Sequence, residues 1–311
     1  MAAITNTFTT SSQIGIREQL NDLINNISPV DVPFQNSIRK GKVMNTKFEW
    51  QTDSLASAAN NKVNEGDDYT STATAVTVTS RLNNYCQISK KDFTISATSQ
   101  AVKVAGRSSE AAYQITKKTK ELKRDIEFAI MQNGTLSTSD PRQTRGLAGW
   151  VATNCSVGAG AGAAPVPGSN TAPVAGTARS FTEALLKTQC QNAFTQGGNP
   201  TLLFVGAAQK QVVSTFTGNS TRMDDSSDKT VYASVDVYVS DFGKLKVVPN
   251  RFQETTTAFG IDTNYWRLNF LRPVQATQLA KTGDGVRYLI NCEYGLEAGQ
   301  EASSFQIRDI S

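Results

Sequence analysis

Apolar positions along the chain recur with two periods. Between residues 98 and 133 the period is helical: Ala111, Ile115, Leu122, Ile126, Ala129 and Ile130 return at spacings of three, four and seven. The other faces hold Lys117, Lys118, Lys120, Glu121, Lys123, Arg124, Asp125 and Glu127, and the spacing predicts pairs between Lys117 and Glu121 and between Lys123 and Glu127. Ser108 or Ser109 is placed to cap this helix, Gly106 to bend or divide it, and Asn133-Gly134 to end it. A helix over 108–131 extends about 35 Å and exceeds the usual length, so it reads as a structural spine. A second helix is predicted over 180–195, with Ser180 as cap and Glu183 three residues on, stopped by Gly197-Gly198-Asn199-Pro200. A short buried strand over 201–206 and a further helix over 207–216 follow, implying a small α/β lobe from about 140 to 255.

The second period is two. Strands are predicted over 42–50 and over 74–88, the latter with Val76 and Val78 on one face. Val231, Ala233, Val235, Val237 and Val239 share a face in a strand that turns at Asp241-Phe242-Gly243 and returns as KLKVVP. Trp266, Leu268 and Phe270 oppose Tyr265, Arg267 and Asn269, and Tyr288, Ile290, Cys292, Tyr294 and Leu296 share a face. Pro249 and Pro273 are expected to bound their segments.

Three stretches have neither period. Residues 1–40 read as an arm with a short helix over 19–26, which hardly makes a core of its own. More than twenty polar residues separate the first two strands, either a surface loop without structure or a two-stranded arm reaching another subunit. Residues 156–178 are rich in Ala, Gly and Pro and predict an extended, mobile or surface-laid loop.

Composition narrows the chemistry. The chain has no histidine, which removes Ser-His-Asp triads, HExxH zinc sites and histidine proton shuttles. Four scattered cysteines, Cys86, Cys155, Cys190 and Cys292, form no CxxC pair and read as packed thiols of a reducing compartment. The net charge of +4 is weak for a dedicated nucleic-acid binder, and the seven basic and four acidic residues over 103–127 read as a solvated face laced with ion pairs. No apolar run is long enough to span a membrane, and the first ten residues lack the pattern of a secretory signal. Gly158, Gly160 and Gly162 lack the flanking strand and helix of a dinucleotide site, and no Walker A sequence is present. The pairs Asp67-Asp68 and Asp224-Asp225 sit in polar loops without calcium-loop spacing. No catalytic constellation stands out. Arg251, Arg267 and Arg272 lie among aromatics, where the planar guanidinium suits carboxylates across a contact, so these three and Trp266 are the candidate intersubunit contacts.

An arm, a long polar excursion, a spine helix and an α/β lobe together suggest a chain that buries its loose pieces against copies of itself. The segments AGRSSEAAYQITKKTKELKRDIEFAIMQNG (105–134), RGLAGW (145–150), VYVSDFGKLKVVPNRF (237–252), NYWRLNFLRPVQATQLAKTGDG (264–285) and EYGLEAGQEAS (293–303) carry a resemblance. In that order they resemble the major capsid proteins of tailed double-stranded DNA bacteriophages, specifically a short-tailed phage family of HK97-type fold. The resemblance implies an α+β fold with an N-terminal arm at 1–40, an extended loop at 41–92, the spine helix of a peripheral domain at 93–139, mainly axial domain at 140–255, and C-terminal strands, mainly peripheral domain, at 256–311. It implies hexamers and pentamers closing into an icosahedral shell around double-stranded DNA, which contacts the shell non-specifically. It further implies a separate scaffolding protein and a portal as partners, leaves open whether a decoration protein binds, and implies assembly in the host cytoplasm and no cofactor, metal or membrane. Two other readings remain at this stage: a prokaryotic compartment shell of the same fold, and an enzyme using carboxylates and arginines of the 140–255 lobe.

Overall fold

The computed structural model describes residues 31–66, 76, 78–102, 109–216, 237–281 and 283–311. The helix expected over 19–26, Gly106, the loop over 217–230 and the start of the strand at 231 lie outside the described residues. In chain order the elements are α1 (Pro33–Ser37), β1 (Arg39–Lys42), β2 (Lys47–Thr52), β3 (Ser80–Tyr85), β4 (Gln87–Ser96), α2 (Ala97–Ala101), α3 (Glu110–Gln132) and α4 (Leu147–Trp150). Then come β5 (Cys155–Ser156), α5 (Glu183–Thr195), β6 (Leu202–Val205), α6 (Ala207–Ser214), β7 (Val237–Ser240), β8 (Gly243–Pro249), β9 (Ala258–Ile261), β10 (Trp266–Gln278), β11 (Gly285–Ala298) and β12 (Phe305–Ile307).

The apolar stripe of α3 decides where the first core forms. Leu122, Ile126 and Ile130 pack on a four-stranded sheet of order β1-β10-β11-β4, against Leu268, Ile290, Cys292, Tyr294 and Leu296. β1 runs parallel to β10, from Arg39 opposite Arg267 to Lys42 opposite Phe270, and the other pairs are antiparallel. A six-stranded mixed sheet, β5-β12-β9-β6-β8-β7, forms the second body, with Leu186, Cys190 and Ala193 of α5 and Val213 of α6 in its core. Two strands from the C-terminal end of the sequence stand inside this sheet, β9 paired with β6 and β12 between β9 and β5. Phe34 of α1 joins the two bodies, with its ring 5.6 Å from Phe204 of β6 and 6.4 Å from Trp266 of β10.

Several local expectations shift for identifiable reasons. Ser109 caps α3, its Oγ accepting the Ala112 N–H at 3.4 Å. Lys118, not Lys117, pairs with Glu121 at 2.8 Å, and Glu127 turns inward instead of meeting Lys123. The cap of α5 is Thr182 rather than Ser180, because Phe181 is drawn into the core and holds the preceding chain extended. Val76 and Val78 lie outside any strand and are exposed, since β2 offers pairing only as far as Thr52 opposite Ser80. In β7 the faces are reversed: Tyr238 is buried and Val237 and Val239 face out, because the larger ring packs inside and its hydroxyl donates to Glu183 at 3.0 Å. Pro273 does not end its strand. It falls within β10 at an irregular pairing between Arg272 and Gln275, beyond the end of β1, where no neighbour needs its missing N–H.

The Ala/Gly/Pro-rich tract is laid on the surface as a small hairpin, with bridges between Ala163 and Val174 and between Val166 and Thr171. Gly158 and Gly176 approach backbone to backbone at its base, where a Cβ on Gly176 would strike the Gly158 carbonyl. Close approach, not phosphate binding, accounts for these glycines.

Candidate intersubunit surfaces

The β2–β3 hairpin is fixed at its root by contacts with the body. Trp50 of β2 donates Nε1–H to the Ala298 carbonyl at 2.7 Å and packs its ring 5.2 Å from that of Trp150. Phe48 stacks on Trp50 at 5.8 Å and lies over Gly295 of β11, where a Cβ would come within 2.5 Å of the ring. Asn84 of β3, fully buried, donates to the carbonyls of Leu296 at 2.7 Å and Arg145 at 3.1 Å and accepts the Arg145 N–H at 3.0 Å. A buried amide with all these bonds made fixes the hairpin's angle to the body.

From residue 53 to residue 66 the chain has no regular structure and every residue is exposed. Leu55 is 99% exposed, Val63 69%, and on the returning side Val76 and Val78 are 90% and 84%. Burying one such aliphatic side chain is worth about 1.5–3 kcal/mol. Four such side chains are left bare on one excursion from a fixed root.

Arg145 anchors a second projection. It is 1% exposed and has no carboxylate partner among the described residues; its guanidinium sits 4.7 Å from the Trp150 ring centre and donates to the Pro167 carbonyl at 2.8 Å and to Asn170 Oδ1 at 2.7 Å. Burial lowers its pKa to about 10, so it remains cationic at neutral pH. One arginine thus ties the surface hairpin at 163–174 to the same Trp150 that supports the root of the excursion.

The four residues read from the sequence as contacts divide. Arg267 and Arg272 share β10 and are about half exposed, Arg267 lying 3.8 Å from Glu297. Arg272 donates Nε–H to Glu293 at 3.0 Å, and Arg142 reaches the same carboxylate at 2.9 Å, while Glu293 itself is buried. Arg251 is exposed in the turn after β8 and makes no ion pair among the described residues. Trp266 is not a contact. It is fully buried on the α3 side of β10, with Nε1–H donated to Ser304 Oγ at 2.9 Å. Sequence reasoning missed Asn84, Arg145 and Glu293, polar residues in apolar surroundings. For Arg145 the one available signal is the apolar run Gly146–Trp150 directly after it.

Among the described residues no reactive group accompanies these surfaces. Burial pushes the thiols of Cys86, Cys155, Cys190 and Cys292 up to about 12, so they stay protonated and unreactive. Among the described residues no group of His, Cys, Asp or Glu is arranged to hold a metal ion, and no helix is long and apolar enough to cross a membrane. Between α5 and the β7–β8 turn lies a cavity of about 10 Å³ lined by Cys190, Phe194, Ser240 and Phe242, enough for one water and not for a substrate.

Comparison with known proteins gives concordant results. The chain matches the family profile described as SU10 major capsid protein over residues 3–311. It is 27% identical over 335 residues to the major capsid protein of Escherichia phage Phieco32, covering 93% of each chain. Among solved structures it superposes on the capsid asymmetric unit of cyanophage A-1(L) with a TM-score of 0.69 and 13% identity, over 97% of this chain and 98% of that one. The major capsid protein of phage G, solved with its decoration proteins, superposes with a TM-score of 0.57 and 10% identity, over the full length of both chains.

Proposed function

The chain belongs to the SU10 major capsid protein family, and from that premise we propose how its parts serve a shell. It is a structural protein that forms the capsid of a bacteriophage virion, and its fold is the HK97-type α+β capsid fold.

In the proposed arrangement the chain forms hexamers and pentamers that close into an icosahedral shell around double-stranded DNA. Residues 1–40 act as an N-terminal arm and 41–92 as an extended loop reaching a neighbouring subunit. α3 with the four-stranded sheet is the peripheral domain, and the 140–255 region, joined by β9 and β12, is the axial domain. Arg251, Arg267 and Arg272 serve as intersubunit contacts. Assembly takes place in the host cytoplasm with a separate scaffolding protein and a portal, and a decoration protein binds the finished shell, as one does on phage G. The observation that carries this reading is the bare excursion at 53–66 on its rigid root: many weak contacts of that kind, repeated on a closed lattice, sum to a stable particle.

Negative-stain electron microscopy of the purified chain, with and without candidate scaffold, tests it. Closed shells, or rings of five and six, are expected. Monomers or dimers under every condition would count against the arrangement, and shells filled with protein cargo instead of DNA would point to a compartment.

A further inference from the structure

Cations are handled differently on the two sides of the four-stranded sheet. On the side away from α3 they meet carboxylates: Arg287 pairs with Asp92, Arg267 lies 3.8 Å from Glu297, and Arg142 and Arg272 share Glu293 at 2.9 and 3.0 Å. On the α3 side they do not. Lys117, Lys120 and Lys123 are exposed along the outer face of the helix, and none has a carboxylate partner among the described residues. The carboxylates between 117 and 127 are engaged elsewhere: Glu121 with Lys118 at 2.8 Å, Asp125 with Lys91 at 2.6 Å, and buried Glu127 with the backbone of α1. Arg124 extends the row, its guanidinium 5.5 Å from the Phe252 ring centre and its Nε without a partner. β1 adds Lys40 and Lys42, register partners of Leu268 and Phe270, whose side chains turn to the α3 side; both lysines are exposed and without an ion pair among the described residues. Asp31, exposed ahead of α1, offsets one of these charges. The weak net charge of +4 therefore conceals a concentration of unpaired cations on one side.

Such a surface suits a polyanion with regular charges. A DNA duplex carries about one negative charge per 1.7 Å of axis, so a row running roughly 9 Å from Lys117 to Lys123, at about 1.5 Å per residue, faces about five of them. Lysine heads on flexible stems neutralise phosphates as point charges and read no bases, which suits a contact made at any sequence. An acidic protein partner would bury apolar surface beside the charges, whereas the row offers only Phe128, half exposed one turn further on. We infer that this side of the subunit is the one turned to the packaged duplex, with Lys117, Lys120, Lys123 and Arg124 on its phosphates and Lys40 and Lys42 beside them. This rests on the reading of the chain as a shell around double-stranded DNA and adds to it the surface that meets the DNA.

Two measurements test this. In the first, the purified full-length chain is titrated into a fluorescent duplex of random sequence over a series of sodium chloride concentrations. Each phosphate contact contributes about 0.9 to the slope of log K against log salt. Lys117→Gln with Lys120→Gln and Lys123→Gln should therefore flatten the slope by about 2–3, while Lys90→Gln with Arg287→Gln, on the opposite side of the sheet, should leave it unchanged. A wild-type chain that does not bind the duplex at low salt, or a triple variant whose slope matches the wild type, overturns the inference. In the second, empty and DNA-filled wild-type shells are treated with a small amine-acetylating reagent and the modified lysines are read by mass spectrometry. Lys117, Lys120 and Lys123 should be modified several-fold less in filled shells, and Lys90 equally in both. Filled shells whose row is modified as in empty ones overturn the inference and leave the shell reading intact. Wild-type shells that enclose protein instead of DNA overturn the shell reading, and the inference falls with it. A triple variant that binds the duplex as the wild type does but no longer assembles with scaffold assigns the row to an acidic protein and overturns the DNA contact.

Discussion

The carboxylate of Glu127, in the body of α3, accepts the backbone N–H of Phe34 at 2.8 Å and so ties two parts of the chain 93 residues apart. The Gln35 N–H bonds the other oxygen at 3.0 Å, and Asn250 Nδ2 donates to the first at 2.8 Å. The start of α1 therefore rests on a buried acid, and Phe34, which joins both sheets, is held in place by it. Removing the acceptor leaves three buried donors without a partner. Glu127→Ala should destabilise the subunit by about 2–4 kcal/mol in urea unfolding.

The same carboxylate has a pH signature. Burial raises its pKa above 4.5 and outweighs the hydrogen bonds from Gln35, Phe34 and Asn250, which lower it. An acid whose folded pKa is raised contributes most below its unfolded value, and that contribution is lost as pH rises through the folded value. The unfolding free energy of the wild-type chain should therefore fall relative to that of Glu127→Gln as pH rises from 4.5 toward neutrality. A wild-type value that stays constant or rises relative to the variant over that range would contradict the raised pKa.

Arg145 predicts a local rather than a global effect. Arg145→Met keeps much of the side chain's packing against Trp150 but loses the donors to Pro167 and Asn170. The 163–174 hairpin should then become a thermolysin target in the native protein. The loss of overall stability should be about 1–3 kcal/mol, since two hydrogen bonds to a charged donor go while each acceptor keeps a second donor, the Leu136 N–H at Asn170 Oδ1 and the Asn170 N–H at the Pro167 carbonyl. Unchanged protease resistance would mean that the glycine contacts and the two hydrogen bonds between Asn170 and the Leu136 backbone hold the hairpin without the arginine.

Periodicity made the larger elements legible, and the departures share a cause. The spine helix, the helix and strand at 183–205 and the two long C-terminal strands follow from apolar spacing because each buries one stripe or face. What spacing does not record is which partner an element meets. Tyr238 overrides the valine face of β7 because Glu183 lies within reach of its hydroxyl. Glu127 leaves the charged face of α3 because α1 arrives over it with unpaired N–H groups. Trp266 read as a contact because aromatics near arginines favour interfaces, yet its strand turns that face toward α3. The excursion was recognisable from length and polarity, while its anchoring through Asn84, Trp50 and Gly295 depends on residues more than 200 positions away.

The excursion should be separable from the fold. Thr52 and Ser80 are register partners at the end of the β2–β3 pair, so replacing 53–79 by Asn-Gly closes the hairpin with a two-residue turn. All the root contacts precede or follow the cut. The shortened chain should keep its urea midpoint and its far-ultraviolet circular dichroism while forming no particles. A chain that unfolds or aggregates in every buffer would show that the excursion supports its own subunit.

The four thiols should be silent in the native protein. With pKa values near 12, they should resist a thiol reagent at pH 8, and all four should react in denaturant. Fast labelling of Cys155, the least buried of them, would locate an opening between β5 and its neighbours.

Arg267 separates the stability of the subunit from that of the lattice. Its guanidinium is half exposed and 3.8 Å from Glu297, while Glu297 is also held by Asn269 Nδ2 at 2.5 Å. An exposed pair of that kind contributes about 0.2–1 kcal/mol, and its carboxylate keeps a partner when the arginine is lost. The stem, however, lies over Gly41 of β1, where a Cβ would come within 2.6 Å of Arg267 Cδ, so truncation to alanine also removes packing. Arg267→Met retains the stem and isolates the charge. It should shift the unfolding midpoint by less than Arg267→Ala does, yet lower particle yield as much, because a small deficit at each contact multiplies over a closed shell. Equal particle yields for Arg267→Met and the wild type would remove Arg267 from the interface.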